Sequence, residues 1–237
     1  MNLLLRFFAV GSMLVAAHSF AASAFEGKVT LAITGEKGKP MNLNYSMKGQ
    51  KVRTDIDADG RAISTIMDVP KLEMIMLMDE QKMYMVMPIK KTVENAMEKH
   101  QGDADKMDVQ RTGKTETILG YKTDQIIVTD KEKGTVTEIW VAPDLGAFMG
   151  LGNSGGGSPF GGRKNAAAAA KWEEALKGKG GFPLRVVTRD AKGKDSFKME
   201  ATKIEPGALS DSLFVPPAGY QKFEMPDLGG LNPFKRG

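Results

Sequence analysis

A mainly β fold with antiparallel strands is predicted by three features of this sequence. Short stretches of alternating apolar and polar residues follow one another from residue 27 to residue 204. Glycine, lysine and aspartate, which favour tight turns, separate most of these stretches. Patterns typical of helices are confined to two segments, so we expect only one or two short covering helices. Strands that succeed each other this directly predict an antiparallel meander.

The most informative stretch spans residues 71–88, where methionine twice occupies alternate positions. A short polar break separates the two runs, which is the pattern of a β-hairpin. A loop centred on Glu80 and Gln81 would pair the methionines across the hairpin: Met74 with Met87, Met76 with Met85, and Met78 with Met83. The apolar residues of the opposite face would be Ile75, Leu77, Tyr84 and Val86. Because both faces are apolar, we expect both to be covered and the hairpin to be central in a larger curved sheet.

The other strands are predicted on both sides of the hairpin. Those before it span residues 27–34, 41–47, 51–57 and 62–69. Pro88 ends the hairpin, and residues 92–100 are expected to form a short helix. The strands that follow span residues 112–119, 121–129, 135–141, 182–189 and 196–204.

A glycine-rich stretch and an alanine-rich helix interrupt the second group of strands. Residues 146–164 contain eight of the chain's 27 glycines, which is typical of a flexible loop. Asn165 is expected to cap a helix within residues 165–177. Trp172 and Leu176, four residues apart, would share one face of that helix and pack on the sheet. We therefore expect a single β domain over residues 25–226, followed by a flexible tail over residues 227–237.

The first 24 residues have the pattern of a secretory signal peptide. Arg6 precedes an apolar run, and small residues from Ala22 to Ala24 form a cleavage site before Phe25. This pattern predicts export, with a periplasmic or secreted location after cleavage near Ala24–Phe25. The chain contains no cysteine, so it offers no thiol for lipid attachment and is not expected to be a lipoprotein.

Charge and composition exclude several classes of function. The signal contains one basic and no acidic residue, so its removal lowers the net charge from +4 to +3, too little to predict nucleic-acid binding. The absence of cysteine excludes disulfides and thiolate metal sites within the chain. His100 is the single histidine after the signal, and no catalytic set can be assembled around it. We expect a protein that is not an enzyme and needs no cofactor.

The methionines allow three interpretations. Residues 41–97 contain ten of the chain's sixteen methionines. They could be ordinary core residues, an adaptable apolar surface for ligands such as acyl chains, or soft donors for Cu(I). The candidate ligand-binding methionines are Met74, Met76, Met78, Met83, Met85 and Met87, and the copper alternative uses Met74, Met76, Met83 and Met85.

Several motifs in order resemble an uncharacterised family of exported bacterial proteins that is related to the LolA/LolB lipoprotein carriers and lipoprotein-sorting proteins. The resemblance is carried by residues 45–55 (YSMKGQKVRTD), 64–68 (STIMD), 82–88 (KMYMVMP), 117–123 (TILGYKT), 137–143 (TEIWVAP), 181–185 (GFPLR) and 213–220 (LFVPPAGY). It implies a LolA-like half-barrel: a curved, unclosed antiparallel barrel whose apolar concave side is covered by a helical lid. In the carriers, that cavity holds acyl chains.

The resemblance also adds one candidate residue and a function. Arg53 is similar in setting to a strand arginine that contacts the lid in the carriers, although alternation places it opposite Val52 and Ile56. We expect a soluble periplasmic protein that binds a lipid, acyl chain or other apolar ligand between Trp172, Leu176 and the sheet. Membrane or envelope proteins would be further partners, and nucleic acid would not. The alternatives are a Cu(I)-binding protein and an envelope interaction module.

Overall fold

Twelve strands make up most of the part of the chain that the structure describes. The computed structural model describes residues 25–35, 41–58, 61–89, 107–146 and 181–224. The strands are β1 Gly27–Gly35, β2 Met41–Lys48, β3 Lys51–Ala58, β4 Arg61–Asp68, β5 Glu73–Met78, β6 Met83–Pro88, β7 Met107–Ile118, β8 Tyr121–Asp130, β9 Thr135–Ala142, β10 Phe182–Arg189, β11 Asp195–Pro206 and β12 Gln221–Lys222. The predicted mainly β fold is confirmed.

All twelve strands belong to one sheet that does not close on itself. Its order is β12-β6-β5-β4-β3-β2-β1-β11-β10-β9-β8-β7. Neighbours are antiparallel except for β12, which runs parallel to β6. Two meanders, β1 to β6 and β7 to β11, are therefore joined where the first strand pairs with the eleventh. Register shifts interrupt four of the ladders and, as bulges do, bend the strands, which agrees with the predicted curved, unclosed barrel.

The strands form where alternation predicts them, and the main difference is at the edge. Strand β7 begins at Met107, five residues before its predicted start. Its residues are mostly exposed because β7 lies at one end of the sheet, so its apolar-polar alternation is weak. A bulge between Arg111 and Thr115 further disturbs the period.

One face of the sheet, here called the inner face, carries the main core. Residues directly opposite each other on antiparallel strands point to the same side, so one row of paired residues marks this face across six strands. From β1 to β6 that row is Val29, Tyr45, Thr54, Thr65, Met76 and Met85. Tyr45 meets Phe182 of β10 edge to face, with ring centroids 5.2 Å apart. The core thus joins the two meanders through this face.

The opposite, outer face of β3 to β6 is covered by the end of the domain. Residues 207–224, here called the C-terminal segment, lie across it and place Phe214 against Ile66 and Leu77. All three side chains are at most 2% exposed. The segment then adds β12 to the edge of β6, where the Gln221 amide donates to the Lys82 carbonyl at 2.9 Å.

The outer face of the second meander carries ion pairs. Arg185 on β10 contacts Glu116 at 2.9 Å and Glu200 at 3.2 Å. Arg189 contacts Glu138 at 3.4 Å, and the indole of Trp140 donates to the same carboxylate at 2.8 Å. These contacts between partly exposed groups contribute modest stability.

Candidate functional site

The methionine hairpin forms as the sequence predicts. Strands β5 and β6 pair so that the facing residues are Met74 and Met87, Met76 and Met85, and Met78 and Met83. Strict alternation puts all six on the inner face, and Leu77 faces Tyr84 on the outer face. The predicted register is confirmed.

A one-turn 3-10 helix, Asp79–Gln81, fixes this register. Lys82 ends it in the left-handed region, at φ 50° and ψ 45°, and its amide donates to the Asp79 carbonyl at 3.2 Å. Lys82 is among three residues other than glycine with positive φ in the described part of the chain. A change in the length of this turn by one residue would move the methionines of one of the two strands to the outer face.

The hairpin lies near an end of the sheet, so the prediction of a central position is wrong. Among the strands that the structure describes, only the two-residue β12 lies beyond β6. A two-sided apolar hairpin usually needs a central position because neighbouring layers must cover both faces. Here the C-terminal segment covers the outer face locally through Phe214, and this contact makes the edge position possible.

Exposure along the inner face rises towards the hairpin. Val29, Leu43 and Tyr45 on β1 and β2 are fully buried. On β5 and β6, Met74 is 9% exposed, and the remaining five methionines of the hairpin are half-buried. The inner face therefore presents partly accessible apolar side chains at the hairpin, and nearly all of them are thioethers.

The neighbouring strand extends this surface. Met67 on β4 pairs with Met74, and the row of paired residues continues to Met87 on β6. We call Met67 and the six hairpin methionines the methionine face. Its inner-face neighbours on β4 are Ile63 and Thr65, so none of these described positions carries an ionisable group. The surface has no charge of its own with which to select or repel a ligand.

A pair of hydroxyls borders the methionine face. The Thr54 and Thr65 hydroxyls are hydrogen-bonded to each other across β3 and β4, and Thr65 lies directly opposite Met76. One of the two hydroxyls donates its hydrogen to the other. The hydroxyl that accepts keeps its own hydrogen, which can rotate towards another acceptor. Neither these threonines nor Met67 is among the site residues that the sequence predicts; the alternation of Ile63, Thr65 and Met67 was the available signal.

Arg53 lies on the other side of the sheet from the methionines. Its guanidinium contacts the Asp55 carboxylate at 2.8 Å and donates to the Leu213 carbonyl at 3.3 Å. Alternation explains the position, since Val52 and Ile56 on the same strand point inward and are buried. The structure therefore does not bring Arg53 together with the candidate methionines. It contacts the C-terminal segment instead.

A second polar contact holds that segment. Tyr220 donates to the Asp79 carboxylate at 2.8 Å, next to the turn of the hairpin. This hydrogen bond, with burial and the carboxylate charge, raises the pKa of Tyr220, because all three favour the neutral phenol. Ser64, which is buried, donates to Asp55 at 2.7 Å in the same network.

Several predicted features fall outside the described residues. These are the signal peptide over residues 1–24, the helix over 92–100, Trp172 and Leu176 with their helix over 165–177, and the tail over 227–237. The glycine-rich loop lies outside as well, apart from Gly146. The domain boundaries and the covering helix remain predictions.

Two kinds of feature are absent from the described residues. Within these ranges, no group of three or more histidine, cysteine, aspartate or glutamate side chains is placed to hold a metal ion. None of the helices described here is both long and apolar enough to cross a bilayer.

The family model described as "Domain of unknown function (DUF4412)" matches residues 25–220. A search of curated proteins finds no match. The chain is similar to several solved structures, among them an uncharacterized conserved protein from Thermus thermophilus, with 11% identity, a TM-score of 0.48, and coverage of 85% of this chain and 91% of that one. A structure of the Pseudomonas aeruginosa MucA/MucB complex matches with 14% identity and a TM-score of 0.45, over 81% of this chain and 56% of that one.

A LolA superfamily protein from Nitrosomonas europaea is similar as well. It has 14% identity and a TM-score of 0.32, over 83% of this chain and 91% of that chain. The expected resemblance to a family of unknown function is confirmed by the family match over residues 25–220.

Proposed function

This chain belongs to the family described as a domain of unknown function, DUF4412, and from its inner face we propose that it binds a lipid or acyl chain on the methionine face without catalysing a reaction. The observation that carries the proposal is the rise in exposure along an apolar surface. The same face is fully closed at Leu43 and Tyr45 and half-open at Met76 and Met85. An apolar ligand would complete the burial of those side chains.

The side-chain chemistry suits a flexible chain. Methionine is unbranched and polarizable, so a surface of methionines adapts to ligands of varied shape. Burial of a 16-carbon chain at about 0.8 kcal/mol per CH₂ gives a gross gain of about 12 kcal/mol before the costs of association. That is sufficient for a carrier that must also release its ligand.

The cover of the ligand is a further part of the proposal. Trp172 and Leu176 remain the sequence-based candidates for an apolar surface that closes over the methionine face. In this view the ligand lies between them and β5 and β6, and Arg53 has no part in the site because it lies on the outer face. Trp172→Ala should then weaken ligand binding without a matching loss of stability.

We propose that the protein acts outside the cytoplasm, after removal of residues 1–24. The support is the order of the charged start, apolar run and small residues in that segment. Sequencing the N-terminus of the protein recovered from the cell envelope fraction should find Phe25 first. Retention of Met1 would contradict export.

The binding proposal is tested with two variants that change the same two positions. Met76→Gln/Met85→Gln introduces polar side chains of similar length, and Met76→Leu/Met85→Leu keeps the surface apolar. Titration with a dansyl-labelled fatty acid should give an affinity at least about tenfold lower for the glutamine variant, because two apolar contacts are lost. The leucine variant should bind like the natural protein.

The same titration can also contradict the binding proposal. Equal affinity of the glutamine variant and the natural protein would mean that the fatty acid binds elsewhere. Thermal unfolding of both variants checks that they fold. As a second measurement, native mass spectrometry of the natural protein after extraction from cells should detect a bound lipid or fatty acid.

A further inference from the structure

The methionine face concentrates soft donor atoms beyond what an apolar surface requires. Seven thioethers occupy neighbouring positions on three strands, with Met67, Met74 and Met87 in one row of paired residues. Valine or isoleucine would give equal or better apolar cover on a strand, since β-branched residues are favoured there. The sulfur atoms therefore call for a role of their own.

We propose that this face binds one Cu(I) ion through Met74, Met76, Met85 and Met87. Met74 faces Met87 and Met76 faces Met85, so the four positions form a rectangle on one side of the hairpin. Its sides are about 5 Å across the strands and about 7 Å along them. Each methionine has three rotatable bonds, so the four sulfurs can turn towards a common centre.

The ligands proposed here differ at one position from the set that the sequence alone indicated. Met83 faces Met78, one pair further along the hairpin than Met85, so Met74 and Met83 lie at opposite ends. Met87 takes the place of Met83 in the set. Met67 pairs with Met74 and lies beside the rectangle as a candidate fifth donor, whereas strand β4 offers no thioether beside Met78.

The chemistry of the donors selects the ion. Thioethers are soft ligands that suit Cu(I), while Mg²⁺ and Ca²⁺ prefer oxygen and Zn²⁺ prefers imidazole or thiolate. Met76, Met85 and Met87 are half-buried, so an ion can reach their sulfurs from solvent. Because the donors are neutral, the complex keeps the single positive charge of the ion, and this favours a site that is not fully enclosed.

A thioether site has a distinctive dependence on pH. Thiolate, imidazole and carboxylate ligands lose a proton when they bind a metal, so their affinity falls as the solution becomes acidic. A thioether has no proton to lose, and the described inner-face positions around the methionines hold no ionisable side chain. Cu(I) affinity should therefore be the same at pH 5 and pH 7.

The experiment is an anaerobic titration of the purified protein with Cu(I) in competition with a chromogenic Cu(I) chelator. The natural protein should remove one ion per chain from the chelator at both pH values. Met76→Leu/Met85→Leu should weaken binding by about tenfold or more, because it removes half of the donors. The matched control is Met107→Leu/Met199→Leu, which changes two buried methionines away from the hairpin and should bind like the natural protein.

Three results would overturn the proposal: no uptake of Cu(I), unchanged affinity in Met76→Leu/Met85→Leu, or affinity that falls at pH 5. X-ray absorption on the loaded natural protein is a second measurement, and it should find sulfur as the only ligand type. The fatty-acid titration of the natural protein separates this site from the proposed function: uptake of Cu(I) without fatty-acid binding would contradict only the proposed function, and fatty-acid binding without uptake of Cu(I) would contradict only the copper site.

Discussion

The two faces of the β5–β6 hairpin are both apolar, yet they are built from different side chains. The outer face uses Ile75, Leu77, Tyr84 and Val86, and part of it is closed by Phe214 of the C-terminal segment. The inner face uses six methionines, five of which are half-buried. Stiff side chains are therefore found on the face that packs on Phe214, and flexible thioethers on the opposite face.

This difference distinguishes packing from binding within a single pair of strands. A face that packs on the protein's own chain has one fixed partner, so it gains from side chains with few rotamers. A face that accepts ligands gains from side chains that adapt. The same substitution should therefore have unequal effects on the two faces.

The sharpest comparison places glutamine at adjacent positions. Leu77→Gln puts an amide at a site that is 2% exposed, and we expect a loss of about 5 kcal/mol from the free energy of unfolding. Met76→Gln changes a half-buried position and should cost about 1 kcal/mol. Urea denaturation of both variants measures the two values. Similar losses would mean that both faces are packed alike.

The partner of the outer face gives the next largest effect. Phe214→Ala removes the ring that packs on Ile66 and Leu77, and it should lower the free energy of unfolding by about 4 kcal/mol. The adjacent Val215 is 46% exposed, so Val215→Ala is the matched control, with an expected change within about 0.5 kcal/mol. Fatty-acid binding should survive in Phe214→Ala where the protein remains folded. A Phe214→Ala variant as stable as the control would show that the segment does not hold the hairpin.

A smaller effect is expected from the polar network on the outer face. Ser64→Ala removes the hydrogen bond that Ser64 donates to the Asp55 carboxylate at 2.7 Å. The side chain is 3% exposed, and the acceptor keeps its contact with Arg53, so we expect a loss of about 1.5 kcal/mol. Chemical denaturation checks the value, and Ser64→Cys offers a variant of similar size with a weaker donor. An unchanged midpoint would assign no role to this hydrogen bond.

Low pH should have the smallest effect on stability, because it protonates a carboxylate in the sheet and does not change the methionines. Asp130 is buried, which raises its pKa, but hydrogen bonds from the Lys133 amide and ammonium and from the Glu132 amide outweigh this, so its pKa is lowered. A carboxyl with a lowered pKa in the folded state stabilises the protein above its unfolded pKa and loses that contribution as pH falls through the folded value. Stability should therefore fall below about pH 4.

The variant Asp130→Asn separates this effect from the others. It should be less stable than the natural protein at neutral pH, and its stability should fall less steeply between about pH 4 and pH 2. Fatty-acid affinity at neutral pH should not change, because Asp130 ends β8 and is remote from the hairpin in the strand order. Equal slopes of stability against pH in both proteins would contradict the assignment to Asp130.

Local sequence patterns predicted the hairpin in detail. Alternation supplied the two faces, and the polar break before Met83 supplied the register, because a turn of fixed length determines which residues meet. Strand β10 was predicted with its observed bounds, Phe182–Arg189, between a glycine and a polar turn. Such features depend on neighbours in the sequence, so they can be inferred from it.

Features that depend on distant partners were missed. The pairing of β1 with β11 and the cover that Phe214 provides join residues far apart in the chain, and neither has a local signal. The central position assigned to the hairpin failed for this reason. For Arg53 the local pattern was sufficient, because alternation already placed it on the outer face, where it contacts Leu213. Only the resemblance to the carriers suggested that Arg53 belongs to the ligand site.

The pairing of β1 with both β2 and β11 affects how the chain reaches its native state. Val29 pairs with Tyr45, which is nearby in sequence, but on its other side it needs Ile204, and the hairpin needs Phe214. Closing such long loops before their contacts are gained slows folding, so milliseconds to seconds are expected. An N-terminal fragment ending at Gly146 would lack both partners. The domain can therefore complete its fold only after almost the whole chain has been made.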